Sequence, residues 1–423
     1  MTDGAAAPQS APLPSRWLVL AVLVAVALLS YADRYLFAGL APVISHEFAL
    51  SDGTLGLLLG PAFALLYTVL GVPAARLADR TSWIRVAAAG CLMWSLFTFA
   101  TALATSTATL ALARVGVGIG EAAYQAPVSA LIAAYFPLHQ RGRAFAALMS
   151  AIYLGQITGF AGGPALAARA GWRAPFELMG LAGVMVAGLA LAVVRDPRHE
   201  ARPATPEPLG TLALRLGANR CWRWLTIGFS LGSFGGLAFG LWGTVLFERA
   251  FHLTNKASGA AFGLPFGLSG LTGAFVFGWA ADKAARRWGS GAPLLLSAVA
   301  LGTATLATLA VAWVPSLGAA QLLAVPSGML GGGWSIGAMA AYQHLLPERY
   351  RASGTALALL VIGLLANVGA PWAVGALSQH FGEGLAGLRL ALTLLIPTGF
   401  VGALALWRAG GMLAASQAML AAE

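Results

Sequence analysis

The 423-residue chain is 59% hydrophobic and 9% charged, against about 25% charged residues in soluble domains, and its mean hydropathy is +0.78. Such a composition excludes a soluble domain and points to a polytopic membrane protein. Its net charge of +10 does not imply a nucleic-acid partner, because the basic residues collect in loops on one side of the predicted spans.

Residues 1–15, rich in Ala and Pro, are expected to form a disordered tail. Twelve apolar runs follow at 16–40, 53–76, 84–105, 107–135, 143–170, 174–194, 223–250, 257–281, 292–313, 317–346, 352–379 and 385–408. Their lengths suit helices that cross a bilayer. Within the first run stand Asp33 and Arg34, where an ionised side chain costs roughly 2.5 to 3.5 kcal/mol; residues so placed face a bundle interior and mark an ion or substrate path. The run continues past this pair without a small-residue cleavage site, so it reads as a retained helix and not as a signal peptide. Arg76, Arg80, Arg85, Arg141, Arg143, Arg286, Arg287, Arg349 and Arg351 fall on the side of Arg16, whereas Arg169, Arg173, Arg249, Lys256 and Arg389 fall opposite. By the positive-inside rule both termini are cytoplasmic, and the expected location is a bacterial inner membrane.

The fourth run carries the second buried pair. Arg114, Gly118, Glu121 and Gln125 are spaced by four, three and four residues, which forms one polar stripe on a helix. Gly116 and Gly120 make a small-residue face on which a neighbouring helix can approach closely. Asp33 is the candidate proton carrier, a carboxylate whose proton affinity depends on the arginine beside it, and Glu121 is the second proton-coupling candidate. Arg34 and Arg114 can grip a carboxylate or phosphate by two prongs, with Glu121 competing for them. Permanent pairing of Arg114 with Glu121, or of Asp33 with either arginine, is the alternative use of the same charges. Tyr124, Gln125, Tyr153 and Asn367 complete the candidate substrate-contacting set. In the fifth run Gly155, Gly159, Gly163 and Pro164 make a glycine face that ends at a bend.

A polar, Pro-rich linker at 195–222, with one interfacial helix expected near 209–216, separates the six-run units 16–194 and 223–408; residues 409–423 read as a cytoplasmic tail. The two units echo each other. ARLADRTSWIR (75–85) corresponds to GWAADKAARR (278–287), and HQRGRA (139–144) to PERYRA (347–352), at nearly one offset. Duplication predicts an all-α fold of twelve transmembrane helices in two pseudo-symmetric six-helix bundles. Asp79, Arg80, Asp282, Lys283, Arg141, Arg143, Arg349 and Arg351 are expected to pair across the bundles, acidic groups against helix N-termini, and so to close the cytoplasmic side.

GWAADKAARR resembles the loop signature of the major facilitator superfamily: Gly, three residues, Asp, Arg or Lys, a small residue and paired basic residues. The first copy departs from it, with Ala75 in place of the glycine and Trp83 and Ile84 where the basic pair stands. YADR (31–34), RVGVGIGEAAYQAP (114–127) and FPLHQRGRA (136–144) look like the spinster-like branch, with the sugar-acid symporters as nearest rival. The resemblance implies a secondary transporter working by alternating access without a cofactor. Spinster-like proteins in animals move lysophospholipids or phosphorylated sphingoid bases, so a lysolipid-like anion, protons and membrane lipids are the expected partners and a monomer the expected state.

Other classes fit less well. Neither lysine follows the glycine of a P-loop, and the six histidines with Cys91 and Cys221 make no catalytic, metal or disulfide arrangement. A sugar-acid or other organic-anion symporter and a multidrug exporter stand as alternatives within transporters, and a non-transporting receptor or channel as the alternative class.

Overall fold

The computed structural model describes residues 15–196, 209–346 and 348–422, with side chains placed for most of them. Helix dominates these residues and no strand occurs among them, as lipid demands: backbone polar groups there must be satisfied within their own segment. The first half comprises α1 (Arg16–Gly39), α2 (Ala41–Glu47), α3 (Asp52–Leu59), α4 (Pro61–Arg80), α5 (Trp83–Ala102), α6 (Thr107–Glu121), α7 (Gln125–Tyr135), α8 (Leu138–Ile157), α9 (Gly163–Ala170) and α10 (Arg173–Val193). α11 (Leu209–Ala218) leads into α12 (Arg220–Phe251), α13 (Asn255–Trp288), α14 (Ala292–Trp313), α15 (Leu317–Leu345), α16 (Glu348–Ile362), α17 (Ala370–His380), α18 (Gly384–Leu395) and α19 (Thr398–Ala422).

Helix covers every one of the twelve expected runs. Among the described residues ten stretches are long and apolar enough to cross a membrane; the other two expected spans are α15, diluted by glycines, and the broken pair α6 and α7. That break corrects the expectation of one helix over 107–135. Pro127 has no N–H to donate and its ring would clash with the carbonyl four residues back, so the chain turns at 122–124 and restarts with the proline inside the first turn. Pro397 likewise divides the last run between α18 and α19. The tail expected from 409 is instead a continuation of α19, with Ala409 and Leu413 buried against Cys221 and Leu225 of α12. The linker helix expected near 209–216 is α11; the Pro-rich segment 197–208 and the tail 1–14 lie outside the described residues.

A bend was expected at Gly163 and Pro164. There the helix widens into a π turn, Thr158–Gly162, and the same feature recurs at Gly363–Gly369. In each case a proline, Pro164 or Pro371, stands second in the helix that follows, and the wider turn accommodates its missing donor. The repeated position is an independent sign of the duplicated half. Before this turn α8 packs tightly on α1: a Cβ at Gly155 would stand 2.6 Å from that of Tyr31.

α1 starts at the near face and ends at the far face, and the two halves touch mainly at the far one. A Cβ at Gly56 would lie 2.7 Å from the Pro371 carbonyl oxygen, and one at Gly375 2.2 Å from that of Asp52. At Gly71, Gly142 and Gly278, toward the near face, a Cβ would meet nothing within 4 Å. Side-chain hydrogen bonds between the halves, from Thr244, Arg249, Asn255 and Ser378, likewise gather at the far face, and the cleft between the halves opens toward the near one. Large apolar side chains such as Leu181, Met185, Leu306 and Leu322 are exposed on the outside, where lipid is their solvent.

Candidate functional site: two ion pairs in the first half

Four charged side chains meet inside the first half. Arg34 Nη2 on α1 donates to Glu121 Oε2 on α6 at 2.8 Å, and Arg114 Nη1 stands 3.8 Å from Asp33 Oδ2. The second contact is too long for a hydrogen bond. Asp33 Oδ1 accepts instead from Thr98 Oγ1 of α5 at 2.8 Å. Asp33, Arg114 and Glu121 have almost no exposed surface, whereas 15% of the Arg34 side chain is open. Asp33 Oδ2, Glu121 Oε1, Arg34 Nε and Arg114 Nε lack hydrogen-bond partners, so the cluster holds unused capacity of both signs.

Aromatic rings frame the cations. The guanidinium carbon of Arg34 lies 5.5, 4.8 and 4.7 Å from the ring centres of Tyr31, Phe63 and Tyr67, and that of Arg114 lies 4.6 and 4.8 Å from Phe37 and Phe63. Such faces attract a desolvated cation without neutralising it. The carboxylates are divided between the arginines: Glu121 lies with Arg34 and Asp33 with Arg114.

The remaining candidates disperse. Because the helix breaks after Glu121, Gln125 leaves the expected stripe and is exposed at the start of α7, where its Oε1 accepts from Tyr67 at 3.0 Å. Tyr124 is buried edge-on against Trp94. Tyr153 spans the seam, donating to the Gly332 carbonyl at 3.2 Å, and Asn367 is half-buried within the second π turn. Among the described residues no three His, Cys, Asp or Glu gather as a metal site.

Among the described side chains, the residues expected at the gate form no ion pair across the halves. Asp79 Oδ1 accepts from Trp83 Nε1 of its own loop at 3.0 Å, Arg141 donates to the Phe136 carbonyl, and Lys283 lies over the Trp279 ring. Arg80, Arg143 and Asp282 are exposed. The side chains of Arg349 and Arg351 lie outside the described residues. Any pairing of Asp79 with these two arginines therefore also lies outside the described residues.

Closure occurs at the far face, through residues that the motif reading passed over. Asp52 at the start of α3 takes two hydrogen bonds from Arg249 of α12 and one from Ser378 of α17, while its backbone N–H donates to Glu383. Thr244 of α12 donates to the Ala38 carbonyl across the same seam. The signal available in sequence was only the position of Asp52, one residue after the helix-capping Ser51. A cavity of about 280 Å³ lies between the halves, lined chiefly by the second, including Gly232, Gly236, Phe239, Thr305 and Trp334, with Tyr35 and Gln156 from the first. The Thr305 and Thr308 hydroxyls bond to their own helix, which leaves the lining largely apolar.

The family model of the Major Facilitator Superfamily matches residues 23–371. The chain belongs to that superfamily. It is a multi-pass membrane transporter and not an enzyme. An "MFS-type efflux pump" of Mycolicibacterium smegmatis is 31% identical over 403 residues, covering 93% of this chain and 92% of that protein. Protein spinster homolog 1 of Bos taurus is 29% identical, covering 86% and 73%, in keeping with the spinster-like resemblance of the charged motifs. A solved bacterial homolog of the human lysosomal transporter Spinster, described as inward-facing and unoccupied, has the same fold, with a TM-score of 0.82 over 96% of this chain and 99% of that one at 24% identity.

Proposed function

We propose that this chain is a proton-coupled secondary transporter of an amphipathic anion, with a lysolipid-like molecule as the favoured substrate. The observation that carries the reading is Arg34, a cation within the first span that is both paired with Glu121 and 15% exposed. Arginine keeps its charge when buried. Asp33 is the proposed proton carrier, its proton affinity set by the arginine beside it, and an anionic head group that takes Arg34 from Glu121 frees that carboxylate as a second proton site, which links substrate to proton movement. The neighbouring cavity, reached from α1 through Tyr35, suits the apolar part of the same molecule.

With both termini on the cytoplasmic side of a bacterial inner membrane, the open near face makes this the inward-open form. Asp79, Arg80, Asp282, Lys283, Arg141, Arg143, Arg349 and Arg351 then act when the halves close there, and a single copy contains the whole path. The name of the mycobacterial relative, an efflux pump, favours a second reading, outward transport by the same machinery, as in a multidrug exporter. Asp33→Asn protein in liposomes tests the coupling. Accumulation driven by an imposed pH gradient should disappear while exchange of labelled substrate persists, and undiminished accumulation would remove Asp33 as the proton carrier. A preference for cationic or neutral ligands would select the drug-export reading.

A further inference from the structure

Phe63 touches both ion pairs. Gly60, with φ −107° and ψ −94°, breaks the second span just before Pro61 restarts it as α4. This sets Phe63 in the first turn of the new helix. Its ring is 3% exposed, and the guanidinium carbons of Arg34 and Arg114 each stand 4.8 Å from its centre. The backbone is pinned at that level by Gly118, where a Cβ would lie 2.1 Å from the Phe63 carbonyl oxygen, and Gly118 sits between Arg114 and Glu121 in α6. Tyr67, one turn on, stacks against the ring with centres 5.4 Å apart.

Two like charges sharing one ring, each with its own carboxylate, need something that stops the four groups from exchanging partners. We propose that Phe63 is a positioning residue that keeps the Asp33–Arg114 and Arg34–Glu121 pairs separate, so that Arg34 can trade Glu121 for a substrate anion while Arg114 stays with Asp33. This rests on the anion-transport reading above. Without the ring, the space it fills lets either carboxylate bridge both arginines, and the two sites merge into one.

The test is a pair of double-mutant cycles. Purified full-length protein is titrated with dodecyl phosphate at one pH as wild type, Asp33→Asn, Glu121→Gln and the double variant, and the same four are rebuilt on Phe63→Ala. The coupling, meaning the factor by which the double variant departs from the product of the single ones, should rise about threefold or more on Phe63→Ala, because groups that share partners cease to be additive. Phe63→Trp should return it to the wild-type value. Equal coupling in the two backgrounds overturns the proposal. The same cycles read as midpoints of thermal unfolding without ligand separate this idea from the transport reading: if dodecyl phosphate fails to bind wild type, the anion reading falls, and Phe63 is judged on the ligand-free coupling alone. Should Phe63→Ala not fold, Phe63→Val, which also removes most of the volume of the ring, carries the cycle with the same rise expected and the same null result fatal.

Discussion

Asp52 and Arg249, one from each half, meet at the far face through two hydrogen bonds of 2.6 and 2.8 Å. The Asp52 side chain is 2% exposed and that of Arg249 26%. A two-pronged guanidinium–carboxylate pair demands a definite geometry, so it forms only when α3, α12 and α17 converge, and it must part before that face can open.

Arg249→Ala should therefore favour opening there. Stripping one partner from a buried pair costs about 3 to 5 kcal/mol, and the partial exposure of Arg249 puts its share below that range. A cysteine introduced at Ala41, which is fully buried beside this seam, should react about tenfold faster with a polar maleimide in the Arg249→Ala protein, and to an intermediate degree in Arg249→Lys, which keeps charge without the fork. Equal rates in all three would show that packing alone shuts the face.

The two buried arginines should answer differently to lysine. The Arg34 side chain is 15% exposed and that of Arg114 2%, so direct contact with a substrate in this state falls to Arg34. Arg34→Lys should weaken dodecyl phosphate binding about tenfold through loss of the two-pronged contact, whereas Arg114→Lys should chiefly lower the unfolding midpoint. Glu121→Gln should tighten binding by removing the resident competitor. Isotherms and melting curves on the same preparations decide, and a larger binding loss for Arg114→Lys would reverse the assignment.

At the near face Asp79 and Asp282 have no partner from the opposite half among the described residues. Their substitution by Asn should leave the present form intact and weaken the alternative one, in which each can meet a helix N-terminus, an interaction of about 0.3 to 1 kcal/mol. Cysteines placed at Gly142 and Gly278, both open, should then be labelled to a greater extent. No change in either variant would reduce these aspartates to topology signals.

Glu47, outside the spans, offers a pH test of fold stability. Its slight burial would raise the carboxyl, but hydrogen bonds from Trp172 and Arg173, with the charge of Arg173, hold it below the usual range. A group depressed in the folded state stabilises above its unfolded pKa and loses that contribution as pH falls through the folded one. Melting midpoints should thus decline on acidification below the ordinary carboxylate range, and Glu47→Gln should flatten part of that decline. The effect is small, since both partners are more than a third exposed; parallel curves for the two proteins would assign the acid sensitivity elsewhere.

Local chemistry explains which features could be read in advance. Asp33, Arg34, Arg114 and Glu121 were conspicuous because lipid penalises charge, and the structure brings all four together. The run lengths and the 203-residue offset between Asp79 and Asp282 carried the duplicated helical fold. What stayed hidden depends on long-range geometry. Spacing assumed an unbroken helix through Gln125, and Pro127 broke it. Asp52 and Arg249 lie near predicted helix ends, where charge is commonplace, and only the docking of the halves turns them into a pair. Phe63 looked like any apolar residue in an apolar span, since nothing in a single chain marks a ring that two distant cations will share.

The paired π turns have a consequence for anyone mapping this transporter by substitution. A π turn inserts one residue relative to an α-helix, which rotates all that follows by one residue's step, roughly 100°. A helical wheel drawn straight through residues 145–170 or 350–380 therefore assigns the wrong faces beyond Gly162 and Gly369. Accessibility scans along these two helices should keep their period but jump in phase at matching points. The residues ahead of each jump and those behind it are then better treated as separate rods, free to keep their contacts on one side while turning on the other.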